Sequence, residues 1–488
     1  MPVRFACLFA VGLILAGCDN RDSQSEKKPV ELPYAGQSLG IAVPAGFEFA
    51  QQWEGVLKEW GVQTGAELKL EEYPADRPAA SFLSQEGGGT LCLFPLNQLG
   101  ELLDQRLVAS IPESVLRDDT GPAWLDLFAG LREGPASVGK RPAIIPLSCP
   151  VLVCYFRRDL LDQAGLNPPE TWDDYQKLLE SLDQWAPGLE AVEPWSPEFR
   201  ATLFLARSAA LARHPGHFSL FFEIESGQPL INGPGFVRGL EVAHRAHQRL
   251  SADSLTLGPA ECRRRVLDGQ AALALTYEPP LESGLSDSGA DSAPESSRAP
   301  SMRIGCMPLP GTREVYNPTT KTWEGTRDRN VYRVTMCGFS GWGIAASRLR
   351  ETTEIEAAWN AVSRLNPGGL TEGFPTETRS LCRESQLGQM GRLIGPGLDG
   401  GEAASYADAV ATSLRRGVVV AELPVPSRGE FLAALSAGIG SVLEKGAPPQ
   451  EALEEVQATW RQLVEKIGAE RIRQAYRAAL GLSNSPGR

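Results

Sequence analysis

Cys18 is the residue in this chain placed for covalent chemistry. It follows Leu15, Ala16 and Gly17, and its thiol could take a lipid once the peptide bond before it is cut. Small Ala16 and Gly17 suit the narrow pocket of a signal peptidase, and Arg4 stands ahead of the apolar run Phe5–Ala16. That run is shorter than the ~18 residues that would argue for a spanning helix. Other reactive patterns are near misses. Gly134 to Arg141 (GPASVGKR) almost spells a phosphate loop, but Arg141 stands where Mg²⁺ needs Ser or Thr, and no strand precedes it. Gly338-Phe339-Ser340-Gly341 lacks the last glycine of a nucleophile elbow. His214/His217 and His244/His247 share the i, i+3 spacing that could hold a metal on one helix face, but no acidic or Cys ligand stands at fixed distance, so surface or capping roles are expected. No metal and no cofactor are expected; a carboxylate pair for glycoside hydrolysis could lie far apart in the chain, but nothing singles one out.

The bulk numbers agree. The chain carries 47 basic and 60 acidic residues, net −13, and losing residues 1–17 removes only Arg4, leaving net −14. Such a surface repels phosphate backbones, which argues against nucleic acid as a partner. A chain of 488 residues exceeds one core and calls for two lobes or more. Of nine cysteines, seven remain once Cys7 is cleaved and Cys18 lipidated. An odd number leaves at least one free thiol. Cys149 and Cys154 could bridge through a tight turn at Pro150, but plain buried thiols are the simpler expectation.

The elements that must position any site are legible in the periodicity. Residues 19–35 are polar and proline-containing, a tether. Leu39, Ile41 and Val43 alternate; Trp53, Val56, Leu57 and Trp60 recur at helical spacing; Leu68 and Leu70 alternate again. This β-α-β opening favours a parallel sheet under helices. Further strands are expected at Thr90–Phe94, Ala143–Leu147 and Val151–Phe156, the last two bent apart by Pro146 and Pro150. Thr171 to Asp174 fits a capping box. Helices are expected at Leu96–Leu107, Thr202–Ala212, Pro234–Leu250, Glu354–Leu365 and along Leu453–Ile467. Glu282–Ser301 reads as a mobile loop, Glu314–Glu324 as a hairpin, and Gly338–Ala346 as a Gly-rich lead into a strand.

The Cys18 segment resembles bacterial lipoprotein signals. Gly139–Tyr175 (GKRPAIIPLSCPVLVCYFRRDLLDQAGLNPPETWDDY) resembles the signature region of extracellular solute-binding proteins of the family 1 (sugar-binding) type. The matching positions are Gly139, Lys140, Pro146, Tyr155, Arg158, Asp159, Leu160, Ala164, Gly165, Leu166, Pro168, Pro169, Thr171, Trp172 and Asp173. Leu230–Ala246, Leu267–Tyr277, Met307–Gly311 and Gly338–Ala346 are similar to later segments of that family. Phe156 departs from the family's usual Asn, and the loop and hairpin look like additions.

The resemblance implies an α/β, two-lobed periplasmic-binding-protein-like fold of type II. Each lobe would be a mainly parallel sheet flanked by helices, followed by C-terminal helices. It implies this order: signal peptide 1–17, tether 18–35, first lobe 36–146, second lobe 147–301, return to the first lobe 302–365, and a helical part 366–488 mainly on the second lobe. Strand-end loops make Trp342, Tyr277, Glu278, Tyr155, Phe47, Glu48, Asn97 and Arg379 the candidate ligand residues, with Trp172 structural. The function implied is a monomeric extracytoplasmic receptor, anchored to a membrane by lipid on Cys18. It would pass a small solute, a mono- or oligosaccharide, to an ABC permease. Two other readings stay open: a same-fold lipoprotein serving signalling or the envelope, and a glycan-active enzyme.

Overall fold

The computed structural model describes residues 32–47, 50–84, 90–117, 123–277, 301–347, 352–365, 380–389, 398–415 and 418–482. Fifteen strands lie in this part of the chain. They are β1 Ser38–Pro44, β2 Glu67–Tyr73, β3 Leu91–Pro95, β4 Ser137–Val138, β5 Arg141–Pro142, β6 Ile144–Ser148, β7 Val153–Arg157 and β8 Glu190–Val192. They continue with β9 Ala271–Thr276, β10 Ile304–Pro308, β11 Glu314–Asn317, β12 Thr322–Gly325, β13 Val334–Cys337, β14 Trp342–Ala346 and β15 Val418–Ala421.

Two sheets organise them. The first runs β2-β1-β3-β14-β6 and the second β10-β7-β9-β8, so the two-lobed α/β fold expected from the sequence is the fold found. β1 pairs in parallel with β2 and β3, joined by the helix Ala50–Thr64, as the alternation of Leu39–Val43 requires. The sheets are mixed, not mainly parallel as expected. In the first, β14 is antiparallel to β3 and β6; in the second, β7 is antiparallel to β9 and β10. A strand that closes a local β-α-β unit runs parallel to its neighbour, whereas β7 and β14 enter from the other lobe and run the opposite way.

The chain crosses between lobes at residues 149–152, between β6 and β7, as the two prolines suggest. The return does not begin near residue 302. β10 is the edge strand of the second sheet, and β13 pairs with β15, so the return falls at Gly338–Gly341. β10 stays because its Ile304–Pro308 backbone completes the open edge of β7. Nor does the tether reach residue 35: Tyr34 stacks on Trp60 at 5.9 Å, and its N–H donates to the Thr64 carbonyl. Residues 18–31 of the tether and 282–300 of the expected loop lie outside the described residues.

Local sequence accounts for local structure. Thr171 caps the helix Trp172–Glu180: its hydroxyl accepts the Asp174 N–H at 3.2 Å, and its own N–H donates to the Asp174 carboxylate at 3.1 Å. The phosphate-loop look-alike is a turn, since Gly139 and Lys140 both take positive φ and join β4 to β5. Trp172 is core. It lies 4.4 Å under the Arg207 guanidinium, which is fully buried and paired with fully buried Glu193. Trp195 Nε1 donates to the same Glu193 oxygen at 2.9 Å. All seven described cysteines are buried thiols. Among the described residues, no helix is long and apolar enough to cross a membrane.

Candidate functional site

The chain leaves one sheet and enters the other at the strand ends next to the crossings. On the first lobe, β1 ends in a turn whose Phe47 N–H donates to the Pro44 carbonyl, and β3 ends in the turn Leu96–Gln98. β6 ends at Ser148 and β14 starts at Trp342, opposite each other in register. On the second lobe the same end of the sheet is marked by Val153 opposite Thr276, so Tyr277 leaves β9 beside the crossing. Crevices at such strand ends are where open α/β sheets take ligands.

The crossings are tied together. Trp342 N–H donates to Ser148 Oγ at 3.0 Å, and Leu96 N–H donates to the Gly341 carbonyl at 3.0 Å. Gly341 is required here: its φ is +97°, and a Cβ would stand 2.3 Å from the Ser148 carbonyl oxygen. Cys149 N–H donates to Ser380 Oγ at 2.6 Å, which brings residues 380–389 against the first crossing.

Aromatic rings stand on both sides, Phe47, Tyr277 and Phe339 buried and Trp342 and Phe199 half-buried. On the first lobe, Phe47 lies 5.4 Å from half-buried Trp342 and 6.0 Å from Trp53. On the second, Tyr277 lies 5.3 Å from Phe339 and 6.1 Å from Phe199, and its hydroxyl hydrogen-bonds with Ser340. Burial pushes the Tyr277 phenol up, so it stays protonated and neutral. Such rings can cover the C–H faces of a sugar while hydroxyl and amide groups meet its edges.

Of the sequence candidates, Trp342, Tyr277, Phe47 and half-buried Asn97, in the turn after β3, stand at these strand ends. Tyr155 does not. It lies within β7, fully buried and stacked on Tyr406 at 6.0 Å, because alternation turns its ring into the core between the sheet and the helix Gly400–Arg415. Glu48, Glu278, Arg379 and Cys18 lie outside the described residues.

The histidines serve contacts. His214 follows the helix Arg200–Ala212, and its Nδ1 accepts the Gly216 N–H at 3.0 Å, so Nε2 carries the proton facing Glu324 at 3.2 Å. His217 contacts Thr319, His244 contacts Gln248, and His247 contacts Ser254. Among the described residues, no group of three or more His, Cys, Asp and Glu could hold a metal.

Sequence reasoning missed Phe199, Phe339 and the loop Glu422–Arg428. Glu422 N–H donates to the Cys337 carbonyl at 2.8 Å, and its buried carboxylate pairs with Arg428. Burial pulls the Arg428 guanidinium down to about 10. Leu423 and Ser427 take left-handed φ of 43° and 55°, a strained backbone beside the crossings. Ser427 N–H donates to Glu101 Oε1 at 2.6 Å, reaching the first lobe. The signal was the apolar strand Val418–Ala421 followed by two prolines and a helix start, which marks a strand-end loop.

No protein-family model and no curated protein matches the sequence. Solved structures do match in fold. An ABC transporter solute-binding protein from Agrobacterium radiobacter, in complex with ribitol, is 19% identical with a TM-score of 0.56, covering 88% of this chain and 100% of that one. The sugar-binding protein MalE from Xanthomonas citri is 15% identical with a TM-score of 0.59, covering 88% and 100%. The cyclic α-maltosyl-1,6-maltose binding protein from Arthrobacter globiformis is 13% identical with a TM-score of 0.58, covering 88% and 99%. The likeness extends over nearly all of each structure and shows that the chain has their two-lobed fold.

Proposed function

We propose that this protein is an extracytoplasmic solute receptor that captures a small carbohydrate between its lobes and delivers it to an ABC-type permease. The observation that carries this reading is the pair of aromatic clusters, Phe47 with Trp342 and Phe199 with Tyr277 and Phe339, at the strand ends beside two of the crossings. Binding closes the lobes by bending at residues 149–152 and 338–341, which removes the solute from water. The ligands named for the similar structures, ribitol and a cyclic maltosyl-maltose, support a polyhydroxylated solute. Asn97 and Ser340 would meet its hydroxyls, with Glu48, Glu278 and Arg379 as further candidates. The proteins similar in fold are named as binding proteins, which supports binding as the role here.

Lipid on Cys18 would hold the receptor near its permease, with residues 19–31 as the reach. More than one acyl chain makes such anchoring stable. A thermal-shift screen over polyols, mono- and oligosaccharides, amino acids and peptides tests the ligand class, since a ligand bound by the folded state alone raises the melting temperature. Stabilisation by a sugar or polyol is expected; stabilisation by amino acids or peptides alone would overturn the carbohydrate reading.

A further inference from the structure

The helix Ala469–Ala479 touches both lobes with different faces. Gly468, with φ 107°, turns it off the preceding helix Pro449–Ile467. On the first lobe, Arg471 makes a two-pronged ion pair with Asp104, at the end of the helix Leu99–Asp104, with N–O distances of 3.0 and 2.5 Å. Gln474 accepts from Arg106 at 3.2 Å, and the Ala478 carbonyl accepts the Gly139 N–H at 3.0 Å. Residues 471, 474, 475 and 478 share one helical stripe. Ala475 and Ala478 join the hydrophobic cluster centred on the first sheet.

The neighbouring stripe serves the second lobe. Ile472 and Tyr476 join the other hydrophobic cluster. Tyr476 Oη accepts the N–H groups of Leu220 and Phe221, both at 2.9 Å, and its ring lies 5.4 Å from Phe222. Arg477 pairs with Glu225 at 3.2 Å. The two grips differ in kind. The Tyr476 side is buried and hydrogen-bonded, whereas the ion pair is open on one side: the Asp104 side chain is 6% exposed but Arg471 is 58% exposed, so water and salt reach the cation. Beside the helix lies a cavity of about 390 Å³ between Gly134 and Lys140 of the first lobe and Arg213 and Phe218 of the second. It gives the lobes room to shift relative to each other at this seam.

We propose that the terminal helix is a strap: fixed to the second lobe through Tyr476, it grips the first lobe through Arg471 and Asp104 and sets the balance between lobe arrangements. Any hinge bending that separates the helix Leu99–Asp104 from the second lobe must break this grip, while bending that keeps them together need not. The strap therefore favours the arrangement in which Asp104 and Arg471 meet. Its consequence for capture rests on the solute-receptor reading; the strap itself does not.

The test is the interlobe distance distribution of the full exported chain without any sugar. Spin labels go on Val62→Cys and Leu166→Cys, exposed positions on the first and second lobes, with Cys18 lipidated or replaced by Ser. Arg471→Ala is expected to broaden or shift the distribution, changing the ratio of arrangements by roughly 1.5- to 5-fold, as an ion pair of this exposure allows. Raising salt should move the wild type the same way and leave Arg471→Ala unmoved. The exchanged pair Asp104→Arg with Arg471→Asp should restore much of the original distribution. Identical distributions for wild type and Arg471→Ala at low salt would overturn the strap. A sugar screen without hits would overturn the carbohydrate reading and leave the strap standing.

Discussion

At the scale of single residues, the rings at the strand ends and the charges in the second-lobe core behave differently. Trp342 is half-buried and lies against Phe47. Trp342→Ala is expected to weaken binding of the sugar found by the screen by roughly 10- to 100-fold, the loss usual for a central aromatic contact. Titration calorimetry reads this, and an unchanged affinity would remove Trp342 from the site. The Glu193–Arg207 pair has the opposite character. Both side chains are fully buried, and the cation sits among the rings of Trp172, Tyr175 and Trp195. Arg207→Ala leaves an uncompensated carboxylate in the core and is expected to destabilise the protein by about 3–5 kcal/mol. The double change Glu193→Gln with Arg207→Met should recover a large part of that loss, as read by denaturant unfolding. None of this pairing was visible in the sequence, where Glu193 and Arg207 are two charges among many. Only the fold brings them under Trp172.

At the scale of elements, the capping box ties sequence to stability directly. The Asp174 carboxyl is raised by burial, but hydrogen bonds from Thr171 and the charges of Lys177 and Arg313 outweigh this and hold it below the ordinary aspartate value. A carboxylate whose folded pKa is depressed adds stability that is present above its unfolded value, about 3.9, and is lost as pH falls through the lower folded value. Thr171→Ala should therefore cost about 1 kcal/mol near neutral pH. It should also flatten the acid side of the stability profile below about pH 4. Thr171→Ser should keep both. This element was legible because Thr and Asp three apart, ahead of an apolar stripe, act within one turn of helix. The β-α-β opening was legible for the same reason, its alternation and helical spacing being local. The edge position of β10, the burial of Tyr155 and the loop Glu422–Arg428 were not, because each depends on which distant strand supplies a partner.

At the scale of the whole molecule, the chain passes between the lobes at residues 149–152 and 338–341, and again between the helix Thr352–Leu365 on the first lobe and the helix Arg428–Lys445 on the second. The thiols report on the integrity of the lobes. Burial pushes the thiols of Cys92, Cys154 and Cys262 well up, and Cys382 up to about 12. The thiolate is the reactive form, so these cysteines should be silent to an aromatic disulfide reagent in the native state. All seven of Cys92, Cys149, Cys154, Cys262, Cys306, Cys337 and Cys382 should react on unfolding. Fast reaction of the native protein would show that a lobe opens locally. A count below seven after unfolding would show a disulfide.

What the sequence settles alone is local: the alternations that make strands, the Thr171 cap, and the Gly139–Tyr175 pattern that implies two lobes. These depend on neighbours a few residues apart, where propensity and periodicity act. The tertiary structure decided which rings meet at the strand ends, that Tyr155 is core, that the return crossing waits until Gly338, and that one terminal helix holds both lobes. Those outcomes depend on pairings between residues up to several hundred positions apart, such as Asp104 with Arg471, which no local period encodes. Burial and hydrogen-bond satisfaction over the whole chain select them.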